Sequence, residues 1–146
     1  MTASADVHDV AAARLRRLEQ RYTRGRRAVV DVLASAEAPL SIPQLLGRDG
    51  ALKQSSAYRN LAVLEQAGVA HRIVTSDEFA RYELAEDLTE HHHHLICSAC
   101  GEVRDFTAPA RIEDDLDRAL RRVASRHGFE PDHHRLDLVG TCADCR

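Results

Sequence analysis

Two Cys-x-x-Cys pairs, at residues 97–100 and 142–145, constrain the fold of this chain more than any other feature. Two residues between cysteines let both sulfurs reach one ion about 2.3 Å away, and a second pair completes a closed tetrahedral shell. A redox Cys-x-x-Cys would follow a strand and open a helix, which neither pair is predicted to do. We therefore expect one structural zinc per subunit, bound by Cys97, Cys100, Cys142 and Cys145.

Four consecutive histidines, residues 91–94, precede the first cysteine pair. If they lie along a strand, as the following Leu-Ile-Cys indicates, neighbouring side chains project to opposite faces and each face carries two imidazoles. Alternation in the last predicted strand points His134 inward, and Glu113 flanks the apolar stripe of the predicted helix. Each of these residues alone is more often a solvated side chain, whereas the set together indicates a metal site. This first histidine site consists of His91, His93, Glu113 and His134.

The opposite face of the histidine run needs ligands from other parts of the chain. Asp105 belongs to the neighbouring predicted strand, and a predicted hairpin earlier in the chain carries a histidine and a glutamate. If the hairpin residues reach this face, a bound metal would tie the two halves of the chain together. The candidates for this second, regulatory site are His71, Glu83, His92, His94 and Asp105.

Helical periodicity fills the N-terminal half of the chain and is followed by a hairpin. The predicted helices cover residues 9–20, 24–36, 42–46 and 55–67, and the predicted hairpin strands cover 69–74 and 79–84 around a polar turn at 75–78. Ser41 and Gln44 have the spacing of a capping box at the start of the third helix. Three helices and a small hairpin, with one extra helix in front, are typical of a winged helix-turn-helix domain.

The chain turns acidic and loses its periodicity between Ala85 and Glu90, so we predict domains at 1–85 and 86–146. The second is predicted to contain strands at 91–96, 102–106 and 134–141 and a helix at 111–127. The expected fold class is therefore α+β, an N-terminal winged helix-turn-helix domain followed by a small α/β domain. Exposed strand edges in so small a domain favour pairing with a second copy, which predicts a homodimer.

Seven arginines lie within residues 14–27 against a single glutamate, although the whole chain has a formal net charge of −3. A solvated helix face explains many such runs, but beside a winged helix-turn-helix the run indicates contact with DNA phosphates. The recognition helix of such a motif enters the major groove. Tyr58, in this helix, has the alternative of being a core aromatic residue. The predicted DNA-contacting residues are Arg26, Ser55, Ser56, Tyr58 and Arg59.

Four segments together resemble the ferric uptake regulator (Fur) family. They are Tyr22-Thr23-x-x-Arg26, Ser56-Ala57-Tyr58-Arg59-Asn60-Leu61, HHHHLICSACGEVRDF and HGF…HHRLDLVGTCADCR. The resemblance covers nearly the whole chain and implies a winged-helix domain followed by an α/β dimerisation domain. It also implies that metal at a hinge site closes the dimer onto palindromic operator DNA and represses transcription.

By position, the family's sheet site falls on the first histidine site, and its hinge site falls on His92 and His94 with Glu83 and Asp105. His71 stands where zinc-sensing relatives supply an acidic ligand. The sequence departs from the family at Pro39, where many iron and peroxide sensors have histidine. It also lacks the cysteine that zinc sensors often place just before the histidine run, and it carries Ser56-Ala57 in place of threonine and valine.

These observations predict a dimeric, metal-dependent repressor of metal-uptake genes that binds double-stranded operator DNA. The resemblance is strongest to zinc uptake regulators, so Zn²⁺ is the expected regulatory metal, and Fe²⁺ or peroxide sensing is the alternative because two carboxylates supply oxygen ligands. A zinc-stapled protein-interaction module is a further alternative, whereas an enzyme is disfavoured because no His-Glu-x-x-His run or nucleophile elbow is present. Without a signal peptide or an apolar stretch of about 20 residues, the chain is expected in the cytoplasm with no membrane contact.

Overall fold

The N-terminal half of the molecule combines four helices with a three-stranded antiparallel sheet. A computed structural model describes residues 3–75 and 79–146, so most of the predicted turn at 75–78 lies outside the described residues. The elements of this half are α1 (Ala3–Arg17), α2 (Arg24–Ser35), β1 (Leu40–Ser41), α3 (Ile42–Arg48), α4 (Gln54–Gln66), β2 (Ala70–Val74) and β3 (Ala80–Leu84). The strand order of this first sheet is β1-β3-β2.

Local capping signals in the sequence set the limits of these helices. Ser41 Oγ accepts from the backbone N–H of Gln44 at 3.3 Å, and Gln44 Oε1 accepts from the backbone N–H of Ser41 at 2.9 Å, which confirms the predicted capping box. After α4, Gly68 adopts a φ of 73°, a left-handed conformation that glycine takes without strain. The prediction that α3 stops before Gly47 is wrong, because the helix continues to Arg48.

The hydrophobic core lies in this N-terminal half. Leu15, Val29, Leu45, Leu61 and Leu64 are all fully buried, one from α1, one from α2, one from α3 and two from α4. Burying a leucine or valine side chain contributes about 1.5–3 kcal/mol, so this cluster is the main source of stability for the helix-turn-helix scaffold. None of the described helices is long and apolar enough to span a membrane.

The C-terminal half forms a second three-stranded sheet with one long helix. The elements are β4 (His93–Cys97), β5 (Val103–Phe106), α5 (Ala110–Arg126) and β6 (Asp137–Gly140). Strand β4 is central in the order β5-β4-β6, antiparallel to β5 and parallel to β6. The α+β class predicted from the sequence is confirmed.

Two of the strands predicted here are too long. The histidine strand was expected from residue 91, but β4 begins at His93, which pairs with Phe106. Beyond Phe106 the chain turns towards α5 through Pro109, so no partner strand is available to residues 91 and 92. The last strand was expected to begin at His134, but this residue lies in the loop before β6.

The apolar face of α5 is open to solvent in the single chain. Ile112 and Val123 are more than half exposed, and no described residue of α5 is buried. On β6, Leu138 and Val139 are exposed as well, at 52% and 68%. An exposed apolar surface of this kind is the expected mark of an interaction site.

Candidate metal centres

The four cysteines converge at one end of the second sheet. One sulfur from each residue lies within 4.8 Å of the others, and the Sγ atoms of Cys100 and Cys142 are 3.8 Å apart. Four sulfurs at about 2.3 Å from a central zinc would be about 3.8 Å from one another. Gly101 closes the first turn with a φ of 76°. This donor set fits a closed, four-coordinate zinc bound by Cys97, Cys100, Cys142 and Cys145, which we call the cysteine site.

Hydrogen bonds make the four thiols unequal. Backbone N–H groups, first that of Cys142 at 3.3 Å from Cys97 Sγ and then that of Cys100, lower the pKa of the Cys97 thiol to about 6. Contacts with the sulfurs of Cys142 and Cys100 raise the pKa of Cys145 to about 12. Four thiolates at this spacing repel one another unless a cation lies between them, and a bound zinc keeps such ligands deprotonated.

A second cluster forms between β4 and the first turn of α5. Glu113 Oε2 lies 3.3 Å from His91 Nε2 and 3.2 Å from His134 Nε2, and Glu113 Oε1 contacts His93 Nε2. Burial would raise the pKa of Glu113, but the hydrogen bond with His93 and the neighbouring imidazoles lower it. The structure thus brings together the first histidine site predicted from the sequence, although His134 arrives from a loop rather than a strand. We call His91, His93, Glu113 and His134 the sheet site.

One nitrogen atom in the sheet site fits a metal better than it fits the hydrogen bonds present. His134 Nε2 is buried and lies 3.2 Å from Glu113 Oε2, but it has no hydrogen-bond partner among the described residues. A buried imidazole nitrogen without a partner is costly unless a metal accepts its lone pair. Three imidazoles around one carboxylate are therefore a donor set that fits a divalent transition metal. Their role as metal ligands stays a prediction.

A third cluster lies where the two sheets meet. Glu83 Oε2 is 3.0 Å from both His92 Nε2 and His94 Nε2. Asp105 is further away, with its carboxylate oxygens 3.9 Å from His92 Nε2 and 3.6 Å from His94 Nε2. Glu83 belongs to β3 of the first sheet, whereas His94 and Asp105 pair across β4 and β5 of the second. We call Glu83, His92, His94 and Asp105 the hinge site.

The outer nitrogen of each hinge imidazole is held by an acceptor. His92 Nδ1 donates to the carbonyl oxygen of Glu90 at 2.8 Å, and His94 Nδ1 donates to Asp137 Oδ1 at 3.0 Å. Such contacts fix the tautomer of a metal-binding histidine and direct its other nitrogen into the site. Asp137 was not predicted from the sequence, because its position beside His94 depends on the parallel pairing of β4 with β6.

Ionisation of the hinge site is governed by these contacts. Burial would raise the pKa of Glu83, but hydrogen bonds from His94 and then His92 bring it below its ordinary value. Burial would lower the pKa of both histidines, but hydrogen bonds to Glu90 and Glu83 raise the pKa of His92, and contacts with Glu83 raise that of His94. Burial also raises the pKa of Asp105. Glu83 and the two imidazoles therefore favour each other's charged forms.

The structure does not bring His71 into the hinge site, so its role as a ligand stays a prediction. His71 pairs with Glu83 across β2 and β3, yet it is not among the residues whose ligand atoms converge. Instead, Nη1 of Arg135 lies 3.4 Å from His71 Nδ1, and Nη2 of the same arginine lies 3.8 Å from Glu83 Oε1. Burial and then this guanidinium lower the pKa of His71. The guanidinium of Arg135 thus contacts both His71 and Glu83.

The predicted DNA-contacting residues of α4 lie on its open side. Ser55, Tyr58 and Arg59 are exposed and Ser56 is half-buried, whereas Ala57 is buried on the opposite face. Tyr58 is 55% exposed, so the alternative of a core aromatic residue is wrong.

Arg26, expected to contact phosphate, is half-buried. Its Nη1 donates to the carbonyl oxygen of Arg21 at 2.5 Å. The neighbouring Arg27 is exposed, with its guanidinium carbon 5.1 Å from the centre of the Tyr22 ring. Of these two arginines, Arg27 is therefore the more accessible.

Comparison with known proteins identifies what the chain resembles. Residues 17–139 match the ferric uptake regulator family. The chain is 32% identical over 124 residues to the ferric uptake regulation protein of Rhizobium leguminosarum bv. viciae, covering 82% of each chain. It is 28% identical over 129 residues to the peroxide operon regulator of Bacillus subtilis (strain 168), covering 86% of this chain and 83% of that protein.

A solved structure shares the fold. The ferric uptake regulator of Helicobacter pylori superposes with a TM-score of 0.73 at 24% identity, covering 97% of this chain and 93% of the other. At this level of identity the similarity supports the architecture alone.

Proposed function

Because the chain belongs to the ferric uptake regulator family of dimeric, metal-responsive DNA-binding regulators, we propose that it represses metal-uptake genes when metal occupies the hinge site. One observation carries this proposal. Glu83 extends from the sheet that packs on the helix-turn-helix, and its carboxylate meets His92 and His94 at 3.0 Å from the other half of the molecule. A metal bound there would join the two halves.

The consequence for DNA binding follows from how β3 is connected to the recognition helix. Strand β2 follows α4 directly after Gly68, and β2 pairs along its whole length with β3, which carries Glu83. Fixing Glu83 against the second sheet therefore fixes the direction in which α4 points. In a dimer, two recognition helices must reach half-sites about one helical turn of DNA apart, so their orientation decides operator binding.

We propose zinc as the regulatory metal. Only four described residues converge on the hinge site, which suits the low coordination number that zinc accepts. Ferrous iron is the second candidate, because half of this donor set is carboxylate and because the relatives reported above include a ferric uptake regulation protein. Affinity order alone does not separate the two metals.

The remaining metal sites support the same scheme. We propose a structural zinc at the cysteine site and a further divalent metal at the sheet site. Residues 1–85 are assigned to a winged-helix DNA-binding domain and 86–146 to a metal-binding dimerisation domain. The exposed apolar side chains of α5 and β6 would be covered by a second copy of the chain. On DNA, Ser55, Ser56, Tyr58 and Arg59 would face bases, with Arg26 and Arg27 near phosphates.

A mobility-shift titration tests this function. The full chain, with its cysteine site loaded, is mixed with the DNA upstream of its own gene and of neighbouring transport genes, with and without Zn²⁺ or Fe²⁺. Metal should be required for a specific shift, and His92→Ala should lose the metal response while retaining zinc at the cysteine site.

The matched control is His133→Ala, which removes an exposed histidine outside the hinge site and should leave the shift unchanged. A specific shift of equal strength with and without metal would remove the regulatory role of the hinge site. The absence of any specific shift would favour a protein-interaction module instead. A response to Fe²⁺ alone would replace zinc with iron.

A further inference from the structure

Glu86 lies in the short segment that joins the two sheets. It opens a single 3-10 turn, Glu86–Leu88, whose backbone is attached to the N-terminal half. Asp87 accepts hydrogen bonds from Arg14 of α1, and Arg14 Nη1 also donates to the carbonyl oxygen of Gly68 at 2.6 Å. Leu88 packs against the hydrophobic core of the same half. The position of Glu86 is thus set by the winged helix-turn-helix.

The side chain of Glu86 reaches the other half of the molecule. Its Oε1 accepts a hydrogen bond from His91 Nδ1 at 2.5 Å, and its Oε2 lies 3.5 Å from His133 Nε2. Only 21% of the glutamate side chain is exposed. The contact therefore links an element fixed on the N-terminal half to an imidazole of the sheet site.

His91 is the sheet-site imidazole with the least support of its own. It precedes β4 and makes no strand pairing, whereas His93 pairs with Phe106 within the sheet. Its side chain is 39% exposed, compared with 0% for His93 and 14% for His134. A ring on an irregular segment near solvent adopts one orientation only if a second contact holds it.

The hydrogen bond from Nδ1 also decides which nitrogen faces the site. In a neutral imidazole one nitrogen carries the proton and the other offers its lone pair. With Nδ1–H donated to Glu86, the lone pair belongs to Nε2, which lies 3.3 Å from Glu113 Oε2 at the centre of the cluster. The carboxylate of Glu86 therefore favours the tautomer of His91 that can bind a metal.

We propose that Glu86 is a positioning residue for the sheet site, which holds His91 as the Nδ1–H tautomer and makes metal affinity there depend on the interdomain segment. This inference rests on the proposed metal role of the sheet site. Loss of an outer partner of a metal-binding histidine typically weakens metal affinity about 10- to 100-fold. Because Asp87 and Arg14 fix the same turn, Glu86 gives the sheet site a direct contact with the N-terminal half.

The test measures Co²⁺ binding by visible absorption. It uses the full chain with zinc at the cysteine site and with the substitution Glu83→Ala, which weakens the hinge site. In this background we expect Glu86→Ala to weaken Co²⁺ binding about 10- to 100-fold. Glu86→Gln should weaken it less, because the amide oxygen still accepts from His91. Glu130→Ala is the matched control: it alters an exposed glutamate outside the metal sites, and should leave the affinity unchanged.

A second readout separates positioning from a general loss of structure. Histidine ¹⁵N NMR of the metal-free sheet site should show His91 as the Nδ1–H tautomer in the parent and in Glu130→Ala. The signal should change in Glu86→Ala, while zinc content and the thermal unfolding midpoint stay close to those of the parent. If Glu86→Ala bound Co²⁺ as tightly as the parent, or if His91 kept its tautomer, the proposal would be overturned. If the parent protein bound no Co²⁺ through histidine, the metal role of the sheet site would be overturned, and this inference with it.

Discussion

Glu83 Oε2 lies 3.0 Å from His92 Nε2, although Glu83 belongs to the sheet of the helix-turn-helix and His92 leads into the other sheet. The same oxygen is 3.0 Å from His94 Nε2. One carboxylate oxygen therefore receives two imidazoles from across the hinge. Under the proposed function, an ion that replaces their protons would act directly on the relative position of the two halves.

Proton competition at the hinge site should make its metal affinity depend on pH. The pKa values of His92 and His94 lie above the ordinary 6.5, so their protonated forms stabilise the metal-free fold. That contribution is fully present below pH 6.5 and is lost as pH rises through the folded-state pKa values. Zinc affinity should therefore increase as pH rises through this range. Competition with a chromogenic chelator across about pH 5 to 8 measures it.

Glu83→Gln tests the cause of this pH dependence. The neutral amide cannot raise the two histidine pKa values, so the pH midpoint of metal binding should move to lower pH while affinity at high pH falls, because an anionic ligand is lost. Glu37→Gln, an exposed glutamate of the N-terminal half, is the control and should leave both quantities unchanged. An unchanged midpoint in Glu83→Gln would show that this carboxylate does not govern the titration.

Removing one sulfur should disrupt the C-terminal half. Cys142→Ser leaves three thiols around the zinc, and because only Cys97 and Val103 are buried apolar residues of that half, little packing compensates. Zinc binding by thiolate sites contributes about 10–16 kcal/mol in small domains, so the variant should lose zinc and unfold at a lower temperature. Zinc analysis and circular dichroism measure this. Ala143→Ser, which places the same hydroxyl one residue away, should retain zinc; equal zinc content in both variants contradicts the assignment.

Arg59 should account for a large part of operator recognition. Its side chain is exposed on the open face of α4, where it can contact a base edge or a phosphate. Arg59→Ala should cost about 1–3 kcal/mol of DNA binding per subunit without changing zinc content or dimerisation. Fluorescence anisotropy with operator DNA measures the loss. Arg126→Ala, an exposed arginine at the end of α5, should bind like the parent, and full binding by Arg59→Ala would remove α4 from the interface.

The apolar face of the second sheet should be the contact between subunits. Val139 is 68% exposed in the single chain, so a glutamate there would place a charge in the dimer interface. Val139→Glu should shift the protein to monomer in sedimentation experiments. Val74→Glu changes a valine that is 75% exposed on the hairpin of the other half and should stay dimeric. A dimer that persists in Val139→Glu would place the interface elsewhere.

Much of the candidate chemistry could be predicted because it depends on local spacing. The geometry of the Cys-x-x-Cys pairs and the Ser41–Gln44 capping box are set by a few bonds of backbone, so the sequence alone determined them. The alternation of the histidines is also local: His91 and His93 contribute to one cluster and His92 and His94 to another, even though β4 begins only at His93.

Only the tertiary structure decided which distant groups complete these clusters. The guanidinium of Arg135 contacts His71, Asp137 reaches His94 through a parallel strand pairing, and Glu86 reaches His91 from the interdomain segment. Such contacts depend on how whole elements pack, and no spacing along the chain encodes them. Covalent geometry limits neighbours to a few arrangements, whereas residues tens of positions apart meet only where the packing of sheets and helices brings them together.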